Sequence, residues 1–261
     1  ERHTGYPIIP GSSIKGVLAD GNGYIERDSN GKLILEQDKD GKPVNGKAKR
    51  TEIGNRIFGR EAQGEKDQGE SGELSFSEAK LLAFPVRSAQ GCFAWVTSSH
   101  LLKRWGEYSG TKPELEKTPQ GLEAYYNKET LGDVAVFEDY AMQHQGEVSD
   151  EVMQCLTPLV SDSLWKDTLK EHLAIVSDDM LAHFARSCCE VAQHVVIDDE
   201  TGASKEGLLF NQENVPADTL FYSIITEVHN HGALNEFKVE PLVQFGGNAT
   251  TGLGFCSISL S

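Results

Sequence analysis

The stretch Pro7-Ile8-Ile9-Pro10-Gly11-Ser12-Ser13-Ile14-Lys15-Gly16 decides how the chain begins to fold. Pro7 and Pro10 fix φ and disfavour helix at the residues before them, so the approach is extended. Gly11 suits the positive φ of a sharp turn. Ser12 or Ser13 is placed to cap the helix that follows, whose short apolar face is Ile14, Val17 and Leu18. Backbone N–H groups, two hydroxyls and Lys15 then gather at one helix start, a set of donors that suits a phosphate. A well-capped helix that binds nothing accounts for the same residues, and both readings stay open from this stretch alone.

The rest of the chain bounds what such a site can serve. Its 261 residues allow one large domain or two small ones, and 38% hydrophobic with 25% charged residues permits a packed core. No apolar run reaches eighteen residues, so no membrane span is expected. The chain opens on Glu1-Arg2-His3-Thr4-Gly5 without a Met or a signal peptide, which reads as the middle of a protein with an N-terminal piece absent. Cys92, Cys155, Cys188, Cys189 and Cys256 are odd in number and scattered. They argue against a disulfide framework or a zinc site, and for thiols in a reducing cytoplasm. Net charge is −16, the wrong sign for a nucleic-acid binder, but residues 1–60 hold 11 Lys+Arg against 8 Asp+Glu. A phosphate-binding surface would draw on that first quarter, while the acidic remainder keeps the protein soluble.

Beyond the opening helix, 20–72 is polar and glycine-rich. Turn signals at Asp28-Ser29-Asn30-Gly31 and Asp38-Lys39-Asp40-Gly41 bracket a short strand at 32–36, a helix is expected over 53–58, and 59–72 reads as a loop. A solvated insertion and a binding flap both fit. Leu74 and Phe76 alternate as in a strand, 81–84 ends at Pro85, and 91–96 is a third strand before a helix at 100–105. Residues 109–172 look helix-prone and acidic, with Ser161-Asp162-Ser163 capping an amphipathic segment. A strand at 173–176, a helix capped by Ser177-Asp178-Asp179 and a strand at 191–197 follow. Two strand-like edges around a polar tip near Gly202 argue for a projecting hairpin. Residues 219–225 read as one strong strand. Strands and helices interleave through tight β connections, which gives an α+β fold.

Two stretches invite chemistry. Gly246-Gly247-Asn248-Ala249-Thr250-Thr251-Gly252-Leu253-Gly254 places four glycines and two threonine hydroxyls in nine residues. It lacks the Lys of a P-loop and precedes a strand, so it fits neither nucleotide-binding fingerprint. It suits close backbone approach to phosphates or bases, and equally a plain β-turn. His229-Asn230-His231 supplies two imidazoles but no identifiable third metal ligand. No catalytic triad or zinc motif is found, and the sequence yields no metal site.

In combination these pieces are more specific. Pro7 to Gly16 in the form P-x-I-P-G-S-S-x-K-G, Arg56-Ile57-Phe58-Gly59, Gly72-x-Leu74-x-Phe76-Ser77-x-Ala79, Phe84-Pro85-Val86-Arg87-Ser88 and the closing Phe245-Gly246-Gly247-Asn248-Ala249-Thr250-Thr251-Gly252 resemble the RAMP superfamily of CRISPR proteins. Phe93-Ala94-Trp95-Val96-Thr97 and Leu209-Phe210-x-x-Glu213-x-Val215-Pro216 are similar to the repeated backbone subunit of the type III-B (Cmr) effector complex.

That resemblance implies a modified ferredoxin-like (RRM-like) core, a single domain over 1–261 lacking its N-terminal strand. Insertions would fall at 20–72 and, helical, at 103–172, with a thumb hairpin at 197–216. It implies a filament of copies along a CRISPR guide RNA, with other Cmr subunits, one of them small and helical, and with no membrane. Target RNA would be cleaved at regular intervals by 2′-OH attack, with a divalent metal ion, Mg2+ or Mn2+, as cofactor. Arg2, Ser12, Ser13, Lys15, Arg56, Arg87, Gly246, Gly247, Asn248, Thr250 and Thr251 are the expected RNA contacts. The family's catalytic Asp is expected upstream of Glu1, and Glu213 is an auxiliary carboxylate at the thumb base. Ala19 and Gln193-His194 stand where relatives commonly carry basic residues, and 227–243 is short for the second helix of a ferredoxin-like repeat. A non-cleaving scaffold subunit of the same complex is the alternative function. A stand-alone guide-processing endonuclease fits less well, because His3 is the only His near the opening turn.

Overall fold

Three strands whose residues are apolar on both faces form the centre of the largest sheet. The computed structural model describes residues 1–21, 23–38, 40–62, 68–113, 115–160, 163–198 and 200–261. In it, Ala79–Arg87, Phe93–Ser98 and Leu173–Val176 are almost wholly buried, as expected of strands covered on both sides. The sheet runs Ile8–Ile9, Ala79–Arg87, Phe93–Ser98, Leu173–Val176, Glu123–Tyr125, Gln143–Gly146, and Leu220–Tyr222 also pairs with Ala79–Arg87. Phe84 pairs with Val96 in antiparallel register, and Leu173 pairs with Trp95 in parallel register, so the sheet is mixed.

The parallel pair requires a long crossover, and residues 99–172 supply it. The helix Ser99–Ser109 leaves the sheet at its start, and Asp178–Ser187 packs back after Leu173–Val176. Ser177 caps the second helix, its Oγ accepting from the Met180 N–H at 3.3 Å, while Asp178 and Asp179 face the positive end of the helix dipole. Phe84, Leu101, Tyr126, Phe137, Leu181 and Phe184 fill the core of this layer. The buried Tyr126 hydroxyl is satisfied, donating to the Asp133 carbonyl at 3.2 Å and accepting from the Ala135 N–H at 3.1 Å.

Backbone packing divides the chain into two compact units, Glu1–Ile8 with Lys80–Tyr222, and Ile9–Ala79 with Ser223–Ser261. The sheet core belongs to the first. In the second, Leu74–Phe76 pairs with Ile225–Glu227, and Leu242–Gln244 pairs with Phe255–Ser257. Tyr24, Phe58, Phe76 and Phe237 form its aromatic centre, with Phe58 and Phe76 stacked at 5.4 Å. Thr51 caps the helix Glu52–Phe58.

Several expectations change. Neither Ser12 nor Ser13 caps the opening helix, Gly11–Ala19: Pro10 is its N-cap, extended at ψ 139°, and both serines lie inside the first turn. Gly11 is helical rather than at positive φ. Glycine is required there because a Cβ would stand 2.5 Å from the Phe76 carbonyl oxygen, so the helix start lies directly on the neighbouring strand. Ala79–Arg87 continues past Pro85, since a strand accepts proline where its nitrogen lies outside the ladder. Residues 109–172 are not helical throughout: Glu123–Tyr125 and Gln143–Gly146 join the main sheet, because pairing partners override weak local propensity. The strand expected over 219–225 breaks into Leu220–Tyr222 and Ile225–Glu227. Its middle is held by Ser77, whose Oγ accepts from the Ile224 N–H at 2.8 Å. The short helix Ala233–Glu236 occupies the segment read as too short for a full second helix. Lys39 and the expected cap Ser161-Asp162 lie outside the described residues, as does most of the middle of the 59–72 loop.

Candidate nucleic-acid interface

The opening helix and the glycine-rich loop both belong to the second unit, where the helix packs against the strand Leu242–Gln244 that leads into the loop. No acidic residue lies in the helix's first turn, Ser12 and Ser13 are exposed, and Lys15 has no ion-pair partner among the described residues. The Ser13 and Ile14 amides donate to the Pro10 carbonyl, and a helix start with no carboxylate in its first turn favours an anion.

The loop 245–254 is held from inside by a residue the sequence reading passed over. The Gln244 Nε2 donates to the carbonyls of Phe245 at 3.0 Å, Gly246 at 3.2 Å and Leu253 at 2.9 Å. Its only signal in the sequence is a polar residue between Val243 and Phe245. The Phe245 N–H donates to the Gly254 carbonyl at 2.8 Å and closes the base. Gly254, at φ +79°, admits no side chain, because a Cβ would lie 1.9 Å from the Phe245 oxygen. Gly246, Gly247, Thr250 and Thr251 are exposed on this frame and Asn248 is half-buried, its carbonyl accepting from the Thr251 and Leu253 amides. A cavity of about 370 Å³ lies beside the other end of the helix, with Asp20 and Glu240 against Arg27 and Lys238 on its walls.

The expected arginines fare differently. Arg56 is committed within the second unit: its Nε donates to Glu73 at 3.1 Å, Nη1 to Glu236 at 2.5 Å and Nη2 to the His231 carbonyl at 2.8 Å. Arg87 is exposed but paired with Glu138, whose carboxyl is held below its usual range chiefly by that hydrogen bond. A phosphate would have to displace carboxylates from both. Arg2 is exposed, in the first unit.

The projecting hairpin also belongs to the first unit. Glu190–Ile197 pairs with Ser204–Asn214, from Glu190 opposite Asn214 to Ile197 opposite Ser204. Its tip contains Asp199, outside the described residues. Val191, Val195, Ile197, Leu209 and Phe210 are exposed on it, and Phe210 stacks on His194 at 5.0 Å. Glu213, exposed at the base, lines a cavity of about 320 Å³ together with Gly5, Pro7, Arg186, Cys189 and Val215. Burial raises the Cys189 thiol, and the Glu213 charge adds to that. All five cysteines are free thiols. Among the described residues no group of three or more His, Cys, Asp or Glu could hold a metal ion, and no helix is long and apolar enough to cross a membrane.

Comparison with known proteins places these features in a family context. The model of the RAMP superfamily matches residues 1–257. A curated protein of Pyrococcus furiosus, named CRISPR system Cmr endoribonuclease Cmr4, is 31% identical over 280 residues, which span 100% of this chain and 85% of that protein. A crystal structure of Cmr4 is 26% identical with a TM-score of 0.67, covering 98% of this chain and 87% of the other. A crystal structure of oligomeric Cmr4 from Pyrococcus furiosus, also 26% identical, gives a TM-score of 0.64 over 98% and 88% of the two chains.

Proposed function

This chain belongs to the RAMP superfamily, in the family of the Cmr4 subunits, and on that premise we propose that it is a guide-RNA-binding filament subunit of a type III-B CRISPR complex that cleaves complementary target RNA. The observation that carries the proposal is that one compact unit holds both a helix whose first turn has no acidic residue and a glycine loop tied together by Gln244. Guide phosphates bind the first-turn amides, Ser12, Ser13 and Lys15, and the exposed backbone at Gly246 and Gly247 admits a second stretch of the strand. Arg2 adds a cation in the first unit.

The hairpin acts on the guide–target duplex. A ribbon with exposed Leu209 and Phe210 offers bases an apolar surface in place of their neighbours, so it unstacks a nucleotide where it enters. A displaced nucleotide can bring its 2′-OH in line with the adjacent phosphorus. The 2′-oxygen then gives up its proton to a base and bonds to phosphorus, the bond to the 5′-oxygen breaks, and that oxygen takes up a proton from water, so the products carry a 2′,3′-cyclic phosphate and a 5′-OH. Glu213, exposed at the hairpin base, is an auxiliary carboxylate for that step. A divalent ion, Mg2+ or Mn2+, belongs to the proposal as the source of charge stabilisation at the phosphate. The described residues do not by themselves form its site.

The relatives support self-association and ribonuclease activity in this family, one being named an endoribonuclease and another being oligomeric. The test is an assembled complex given complementary RNA. Fragments at regular spacing with cyclic phosphate ends support cleavage; bound but uncut target identifies a scaffold subunit.

A further inference from the structure

The turn formed by residues 1–6 is gripped at both ends by arginines from two different helices of the first unit. Arg104, on the helix Ser99–Ser109, donates from Nη1 to Glu1 Oε1 at 2.7 Å and from Nη2 to Glu1 Oε2 at 3.0 Å. Arg186, on the helix Asp178–Ser187, donates to the Thr4 carbonyl at 2.7 Å. The turn is closed internally: the Thr4 hydroxyl donates to Glu1 at 2.7 Å, the Gly5 N–H to the Glu1 carbonyl at 2.8 Å, and the Tyr6 N–H to Thr4 Oγ1 at 3.1 Å. The Glu1 side chain is 6% exposed and that of Arg104 14%, with Lys80 at 3.9 Å from the same carboxylate. Bidentate pairing of buried partners fixes orientation as well as position.

A pair buried this deeply is a weak source of net stability, so its geometry calls for another role. Arg2 and His3, carried on the clamped turn, are both exposed, the His3 side chain to 74%. Gly5 and Pro7, where the turn ends, line the cavity at the hairpin base that also holds Glu213. Gly5 is tight against Arg186: a Cβ there would lie 2.2 Å from its Nε. The clamped turn that carries the exposed Arg2 therefore ends at the cavity of the hairpin base.

We propose that Arg104 is a positioning residue for RNA, which through its grip on Glu1 holds the turn so that Arg2 meets a phosphate at the hairpin base. The inference rests on the RNA-binding reading given above. Arg104 is itself too buried to reach RNA, so its effect passes through Arg2.

The test is a mutant cycle on the full chain assembled with guide RNA, titrated with complementary RNA across salt concentrations. Arg2→Gln should reduce the slope of log affinity against log salt by about 0.7, the value for one phosphate contact on a single strand. Arg104→Gln should reduce it by the same amount, and the double variant by no more than either alone. Arg104→Lys, which keeps the charge and loses the fork, should fall between wild type and Arg104→Gln. Hydrogen exchange should quicken at the Gly5 and Tyr6 amides and stay unchanged in Phe93–Ser98. Additive effects, an unchanged slope in Arg104→Gln, or loss of protection throughout the sheet would each overturn the positioning role. A wild-type complex that binds no RNA would overturn the functional reading first, and the inference with it.

Discussion

Replacing Lys15 with alanine removes the one cation of the opening helix and should weaken guide RNA binding. The salt slope should flatten by about 0.7 while the fold is kept, since Lys15 has no ion-pair partner among the described residues. An unchanged slope in a salt titration would remove Lys15 from the interface. Arg56→Ala should do the reverse. It leaves Glu73 and Glu236 without their cation, so the thermal transition should move to lower temperature, with the salt slope barely changed. Both residues are basic and both sit in motifs, so sequence alone ranks them together. Only the carboxylates brought to Arg56 from 73 and 236 tell them apart.

Glu1 gives the molecule an acid-sensitive contact. Burial opposes its charge, but the hydrogen bonds from Arg104 and Thr4 outweigh that and hold its carboxyl at about 2. The folded value lies below the unfolded one, so this stability is complete above about pH 4.5 and is lost as the pH falls toward 2. Acid titration of Glu1→Gln by circular dichroism should show a shallower loss of stability across that window than the wild type; identical profiles would contradict the assignment.

At the scale of elements, the hairpin Glu190–Ile197 with Ser204–Asn214 is the part most separable from the core, since its outer residues are exposed. Deleting 199–205 should leave the thermal transition within about 1 kcal/mol and abolish target cleavage. Cleavage at the normal spacing by that variant would detach the hairpin from the chemistry. Gly254→Ala should cost about 1–3 kcal/mol, since the new Cβ meets the Phe245 carbonyl and φ is positive. The accompanying loss of guide affinity would be read by the same titration.

These elements also show what the residues disclose by themselves. Continuous apolar runs made Phe93–Ser98 and Leu173–Val176 legible, and the Ser177 cap was legible from its letters. The short strands at 123–125 and 143–146 were not, because their only stabilising feature is a partner distant in sequence. The break at Ser223-Ile224 was hidden for the same reason: Ser77 makes it, from 147 residues away. At the proposed site the donors of 12–15 and the glycines of 246–254 were readable. Gln244, which ties that loop together, was not, since a glutamine bonded to three carbonyls has no sequence pattern.

For the whole molecule the charge distribution sharpens. The excess of basic residues over 1–60 does not carry into the unit that holds the opening helix. Ile9–Ala79 with Ser223–Ser261 contains 12 Lys+Arg against 16 Asp+Glu, and the other unit 12 against 24. The proposed RNA binding would then rest on a local arrangement of donors, which amides and hydroxyls at a helix start supply without net positive charge. Such a site contributes few counterion-releasing contacts per subunit, so one chain alone should bind RNA weakly and a row of copies strongly.

The most direct measurement is to purify the assembled complex from cells, supply end-labelled RNA complementary to the guide, and map the cut positions and their chemical ends. The proposed function predicts guide RNA copurifying with several copies of this chain, and cuts at a constant interval with 2′,3′-cyclic phosphate ends. Target RNA bound by the complex yet left intact under Mg2+ and Mn2+ would contradict it.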